Sequence, residues 1–360
     1  MPTVLESLNT ALHQAMACDQ RVIVIGEDIL DPYGGAFKVT KGLSTAYPKR
    51  VFGTPVSEAG ITGIAAGMAL RGLRPVVEIM FGDFTTLIAD QLVNHIAKFP
   101  LMYNQHINVP LVIRTPMGGR RGYGPTHSQS LEKLYLGIPG LRVLAPCHFI
   151  NPGCLLLDAI LHDDSPVLFI ENKLLYLLEV IDANSMKDYS FVWHGGMNVI
   201  NKGEIEWFPY PKREMGMNPK PENLAPGLSL KIKDAPEPQI TMVAYGYSVE
   251  LARKAVEILA YQNEIFVELV ILTQLSPVTI EPVINSVSLT GQLLVVEEST
   301  LSFSWGSEIL ARSIETLGSS IKAARRLACQ DSLIPASPTL ESAIFPKVDD
   351  IVQCARKMIQ

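Results

Sequence analysis

The 360-residue chain reads as an α/β protein built from two units, each with a parallel sheet, and three observations point there. Continuously apolar runs such as Val22-Ile23-Val24-Ile25 read as strands covered on both faces, the mark of a parallel sheet lying between helices. Such runs alternate with amphipathic helical patterns. The alternation breaks over residues 179–238 and resumes at Ile240, and 360 residues suffice for two full cores.

In order along the chain, Leu5 to Ala17 carries Leu8, Leu12, Ala15 and Met16 at helical spacing, and the strand Arg21 to Ile25 follows. From Val51 to Phe84 come a lone acid, a Gly-rich helix, a buried strand and an aromatic corner. Glu58 opens that helix; Ile61, Ile64, Ala65, Met68 and Ala69 recur at helical spacing, while Gly60, Gly63 and Gly67 remove bulk. Each interior Gly destabilises a helix by roughly 1 kcal/mol relative to Ala, so close approach of another helix or a ligand is the expected compensation. The next strand is Pro75 to Met80, ending at Phe81-Gly82-Asp83-Phe84. A helix is expected through Phe84 to Phe99, with strands at Val109 to Arg114, Arg142 to Ala145 and Val167 to Ile170. Residues 179–238 are rich in Pro, Gly, Lys and Glu with scattered aromatics such as Trp207, Phe208 and Tyr210, and read as an extended linker with one hairpin. The second unit opens with a strand from Ile240 and a helix from Val249 to Tyr261, and continues in strands at Phe266 to Ile271 and Gln292 to Val296. Domain boundaries are therefore expected at 1–178, 179–238 and 239–360.

Composition narrows the function classes. A net charge of -6 and a sequence pI near 5.7 leave no basic footprint for nucleic acid. Hydrophobic residues at 48% against charged residues at 18% suit a subunit that buries large interfaces, so an obligate oligomer is expected. The five cysteines, Cys18, Cys147, Cys154, Cys329 and Cys354, are odd in number and lack CxxC or His-rich metal spacing, which predicts reduced thiols. No run approaches the roughly 20 apolar residues of a membrane helix, and the amino terminus lacks a signal or transit pattern. A cytoplasmic, bacterial protein is the expectation.

As a residue in this pattern, Glu58 has two readings. A first-turn carboxylate meets the helix dipole favourably, and Thr54, Pro55 and Ser57 resemble helix-start signals. An acid among small and apolar residues can instead be buried and share a proton with a ligand nitrogen. Met80 and Phe84 have ordinary core packing as the plain alternative to a ligand contact. His127 follows a loop holding Gly118, Gly119, Gly122 and Gly124 around Arg120 and Arg121. It is either a surface histidine or a functional group held by a tightly turned loop. Spacing alone leaves these pairs open.

The stretch Thr54 to Phe84 resembles the pyrimidine-binding region of the beta subunit of thiamine-diphosphate-dependent 2-oxo acid dehydrogenases. GEDI at Gly26 to Ile29, GGAFKVTKGL at Gly34 to Leu43, the run Arg114 to Ser130, PGLRVLAP at Pro139 to Pro146 and SPVLFIENKLLY at Ser165 to Tyr176 stand in that family's order. Together they cover nearly all of the first half. TMVAYGYSVELARKAVEIL, LTQLSP and GQLLVVEES are similar to its carboxy-terminal domain, shared with transketolase. The resemblance implies two doubly wound α/β domains: a parallel-sheet pyrimidine-binding domain and a smaller transketolase-type domain. There are departures. The 179–238 stretch is longer than the family's connection, and Ile271-Leu272-Thr273 stands where the family shows an Asp-Leu-Arg run.

What the resemblance implies for chemistry follows residue by residue. Glu58 matches the acid that hydrogen-bonds the cofactor's aminopyrimidine nitrogen, a task for a desolvated carboxyl. Met80 and Phe84 match residues packing on the pyrimidine ring, with Val56 and Ser57 beside them. His127 matches a histidine at the channel mouth, implying a role in binding the 2-oxo acid or in acyl transfer. The Gly-Asp-Gly run with which relatives hold the diphosphate and Mg2+ is missing here, so an alpha partner should carry that half, in an α2β2 assembly. A structural potassium ion is implied at the main-chain carbonyls of Leu111, Ile160, Leu161 and Asp163. The implied activity is decarboxylation of a 2-oxo acid with acyl transfer to a lipoyl acyltransferase. A two-chain carboligase or transketolase-like enzyme using another acceptor is the alternative, and a scaffold without turnover the third reading.

Overall fold

The computed structural model describes residues 1–181, 186–194 and 227–360. The first helix, α1 (Val4–Cys18), starts at a capping box: the Thr3 hydroxyl accepts from the Glu6 N–H while the Glu6 carboxylate accepts from the Thr3 N–H. Then come β1 (Val22–Gly26), the short α2 (Leu43–Ala46), β2 (Val51–Gly53), α3 (Glu58–Leu70) and β3 (Arg74–Glu78). Beyond the short α4 (Phe99–Met102) lie β4 (Val112–Met117), β5 (Arg142–Leu144), α5 (Pro152–Leu161) and β6 (Val167–Asn172).

The helix expected through Phe84 to Phe99 is not one α-helix. A 3₁₀ turn covers Gly82–Ile88 and a π turn Gln91–Ile96 before α4 begins. Side-chain competition accounts for part of this: Thr85 Oγ1 donates to the Gly82 carbonyl and Thr86 Oγ1 to that of Asp83, each three residues back. The helix α5 has no counterpart in the elements expected from the sequence. Asn151 caps it, its side-chain oxygen accepting from the N–H groups of Gly153 and Cys154.

Within the stretch expected to be linker, the described residues form β7 (Tyr189–His194) and β8 (Gly227–Ile232), an antiparallel pair. Trp207, Phe208 and Tyr210 lie outside the described residues. The chain continues through β9 (Ile240–Ala244), α6 (Ser248–Asn263), β10 (Val267–Leu272), β11 (Gln274–Ser276), α7 (Glu281–Thr290) and β12 (Gln292–Thr300). It closes with α8 (Trp305–Leu317), β13 (Ala323–Cys329), α9 (Pro338–Ile344) and α10 (Val348–Ile359).

Among the described residues there are two sheets. The first has the order β11-β5-β6-β4-β3-β1-β2, with β1 to β6 parallel and only the edge strand β11 antiparallel, on β5. The second runs β13-β12-β9-β10-β8-β7, four parallel strands extended by the antiparallel pair. Alternation along the strands sorts side chains to two faces. In the first sheet Val24, Val76 and Val112 pack with residues of α1 and α5, while Ile25, Val77 and Ile113 pack with Ile61 and Ala65 of α3. That second cluster runs on into Val243, Val270 and Trp305 of the second half, so one apolar core spans both sheets. All five cysteines are free, and no described helix is long and apolar enough to cross a membrane.

Candidate active site

Functional groups gather where the strands of the first sheet end. Glu27 follows β1, Glu58 follows β2 after one turn, Met80 to Phe84 follow β3, the loop to His127 follows β4, and Lys173 follows β6. In parallel α/β sheets, ligands bind at these carboxyl ends, because the loops that can surround them emerge there.

Glu58 is the first residue of α3 and is only 6% exposed. The N-cap, Ser57, makes no side-chain cap; its N–H instead donates to Glu27 Oε1 at 3.1 Å. Glu27 is itself buried. Burial, with the negative charge of Glu58 next, pushes the Glu27 carboxyl above its ordinary range. Two carboxyls thus lie near each other at this corner, the Glu58 charge being one cause of the Glu27 shift. Val56 is 80% exposed and Ser57 is exposed, beside this corner. On the outer face of α3, Gly63 and Gly67 have open space where a Cβ would stand, and Ile64 is exposed.

The helix α3 packs against the 3₁₀ turn that carries Phe84. Met80, Phe84 and His127 are half-buried. The His127 ring meets Phe81 edge-on at 4.8 Å and Phe84 edge-on at 5.3 Å between centroids, and its Nδ1 lies 3.0 Å from Thr126 Oγ1. The structure therefore brings His127 and Phe84 together and sets α3, with Glu58 at its start, against the same turn.

The loop before His127 is clasped from the other half of the chain. Glu298, at the end of β12, accepts from the Gly119 N–H at 2.7 Å, and Glu341 of α9 accepts from the N–H groups of Arg120 (2.8 Å) and Gly122 (2.9 Å). Arg120 is in the left-handed region with φ 66°, which turns successive N–H groups inward as a carboxylate nest. Gly119 leaves no room for a side chain: a Cβ would stand 2.4 Å from the Phe345 ring.

Several of these groups were not singled out from the sequence. Glu27 and Lys173 lie inside motif runs quoted for the resemblance, but neither was assigned a role. Their signal was positional, each standing at or just past the end of a strand.

The residues implied as a potassium cage are already engaged. Arg74, 5% exposed, donates from Nε to the Ile160 carbonyl at 2.5 Å and from a terminal nitrogen to the Asp163 carbonyl. Val167 N–H donates to the Leu111 carbonyl at 2.8 Å. The Asp163 carboxylate pairs with Arg142. A guanidinium standing on two of the four carbonyls repels a second cation there, so these residues do not fit potassium.

Comparison with known proteins places the chain in a family. The transketolase pyrimidine binding domain family matches residues 1–177, and the transketolase C-terminal domain family matches residues 230–351. The pyruvate dehydrogenase E1 component subunit beta-2 of Oryza sativa subsp. japonica is 36% identical over 357 residues, covering 99% of this chain and 85% of the relative. The chain belongs to the family of E1 beta subunits of 2-oxo acid dehydrogenases. Other members of the E1 beta family have similar reach: pyruvate dehydrogenase E1 subunit beta of Rickettsia bellii is 32% identical, with 99% of this chain and 98% of the relative covered. The beta subunit of acetoin:2,6-dichlorophenolindophenol oxidoreductase from Cupriavidus necator is also 32% identical, with 98% and 96% covered. A solved split-gene transketolase, described as an inactive beta4 tetramer, shares the E1 beta fold with a TM-score of 0.72 over 100% of this chain and 99% of that one, at 17% identity.

Proposed function

We propose that this E1 beta chain supplies the pyrimidine half of a thiamine diphosphate site, with Glu58 as its proton-sharing acid and His127 at its mouth. An alpha partner holds the diphosphate and Mg2+, in an α2β2 assembly. The reaction is oxidative decarboxylation of a 2-oxo acid with acyl transfer to a lipoyl acyltransferase. The observation that carries this is the buried Glu58 at the carboxyl rim of the first sheet, with Glu27 beside it.

The residues present fit an aminopyrimidine. A buried carboxyl offers a hydrogen bond to a ring nitrogen, and half-buried Met80 and Phe84 offer apolar faces. When bound, thiamine diphosphate supplies a nucleophilic carbon for attack on the substrate's keto group. Glu58 holds a proton at the ring nitrogen, and its burial keeps water from competing for it. Glu27, accepting from the Ser57 N–H, fixes the backbone that leads into Glu58. His127, fixed edge-on between Phe81 and Phe84, presents a donor or acceptor to the substrate side.

The test is reconstitution with an alpha partner and assay of 2-oxo acids with an artificial electron acceptor and with lipoyl protein. Glu58→Ala should lower kcat by about 10²- to 10⁴-fold, the usual worth of a positioned acid–base group. Calorimetry should find negligible thiamine diphosphate binding to the isolated chain and tight binding once the partner is added. A Glu58→Ala enzyme turning over at the parent rate would overturn the assignment.

A further inference from the structure

We propose that Lys173 is a positioning residue for His127, holding the histidine's main chain to the end of β6 from beneath the aromatic layer. The proposal rests on reading His127 as a group that acts on substrate.

Lys173 has no exposed surface, an unusual place for an ammonium. Its Nζ donates to the His127 carbonyl. The same Nζ lies 5.1 Å from the centroid of the Phe81 ring and 5.4 Å from that of Tyr123. Phe81 is the ring that meets the His127 imidazole edge-on. One ammonium therefore grips the backbone of His127 and stacks on the ring that orients its side chain. The lysine backbone is fixed in turn, its N–H donating to the Met117 carbonyl at 3.0 Å.

Four charged groups face this ammonium. Asp83, in the turn after β3, Glu298 on β12 and Glu341 on α9 favour its charge, while Arg121 of the loop opposes it. Asp83 Oδ1 also accepts from the Gln129 side-chain amide at 2.8 Å, two residues beyond His127. Burial outweighs the acids and draws the Lys173 ammonium down to about 8. Taking away one member of a buried charged set costs stability whatever its role, so the test reads activity, its pH profile and its dependence on His127.

The consequence is an alkaline limb. As pH rises through about 8, Lys173 loses the proton that makes it a strong donor, and the grip on His127 weakens. The experiment uses the complex with its alpha partner, assayed in the lipoyl-dependent reaction between pH 6.5 and 9.5. Lys173→Met should lower kcat/KM by about 10- to 100-fold, the scale of a small misplacement of a reacting group, and should erase the limb near pH 8. Lys173→Arg should recover most of the activity and move the limb upward. In a His127→Ala background, Lys173→Met should cost almost nothing more.

Parent-like activity and an intact limb in Lys173→Met, with His127→Ala inactive, would overturn the positioning role alone. So would an equal cost of Lys173→Met with and without His127. Full activity of His127→Ala would instead remove the reading beneath it. Should Lys173→Met fail to fold, the parent and Lys173→Arg profiles decide: coincident alkaline limbs overturn the proposal.

Discussion

Glu58 and Glu27 show what a single residue can and cannot disclose. The resemblance singled out Glu58, and the structure buries it at the first position of α3. Its companion was invisible, because the Glu27 contact to Ser57 joins residues 30 apart that no local spacing links. Glu297 is another such acid. Buried completely, it accepts from the Ser304 hydroxyl and the Gly306 N–H, and burial lifts it from the ordinary 4.5 to about 7. Its native form therefore binds a proton more tightly than the unfolded chain does. Below about pH 4.5 both states are protonated and nothing is lost; from there to about pH 7 the native state loses stability progressively. Glu297→Gln should match the parent near pH 4.5 in urea unfolding and exceed it by roughly 2 to 3 kcal/mol above pH 7. Equal stability at both pH values would contradict the assignment. For Arg74, which stands on the Ile160 and Asp163 carbonyls, the expected outcome is a melting temperature that does not respond to exchanging KCl for NaCl at equal ionic strength.

Elements were legible where one period ran unbroken. The buried strand β1 and the helices α1 and α6 follow the apolar pattern closely. In α3 the buried face is turned: Thr62 and Ala66 are buried with Ile61, Ala65 and Ala69, while Ile64, expected on that face, is exposed. The stretch from Gly82 to Ile96 does not follow the pattern, since 3₁₀ and π turns have periods close enough to 3.6 that a short apolar pattern cannot separate them. The loop from Gly118 to Gly124 was legible as a tight turn but not as a clasped one, because its two carboxylates come from residues 298 and 341. Glu341→Gln replaces one acceptor oxygen by an NH₂ group that faces a backbone N–H, and leaving such donors unpaired costs about 1 to 3 kcal/mol. Trypsin should then cut after Arg120 or Arg121 several-fold faster than in the parent, with global melting little changed. An unaltered cleavage rate would show that the clasp does not hold the loop.

At the scale of the whole molecule, the two α/β halves were legible and their interlocking was not. The strand β11 comes from the second half yet pairs with β5 of the first sheet, and the Tyr245 hydroxyl donates to buried Glu132 across the same seam at 2.5 Å. Such pairings join residues more than a hundred positions apart, beyond any sequence periodicity. Separate halves should accordingly behave poorly. Residues 1–178 expressed alone should scatter light and elute as aggregate, and co-expression with residues 179–360 should return soluble material.

The same borrowed strand bears on biosynthesis. A ribosome must deliver Ser276 before the rim of β5 can be sealed, so the earlier three-quarters of the polypeptide emerges with a naked backbone ladder awaiting its cover. Unpaired ladders recruit whatever extended segment is nearest. Newly made chains should therefore depend on holdase chaperones until that late segment arrives, and polysomes crowded with this message should be the place where misassembly begins.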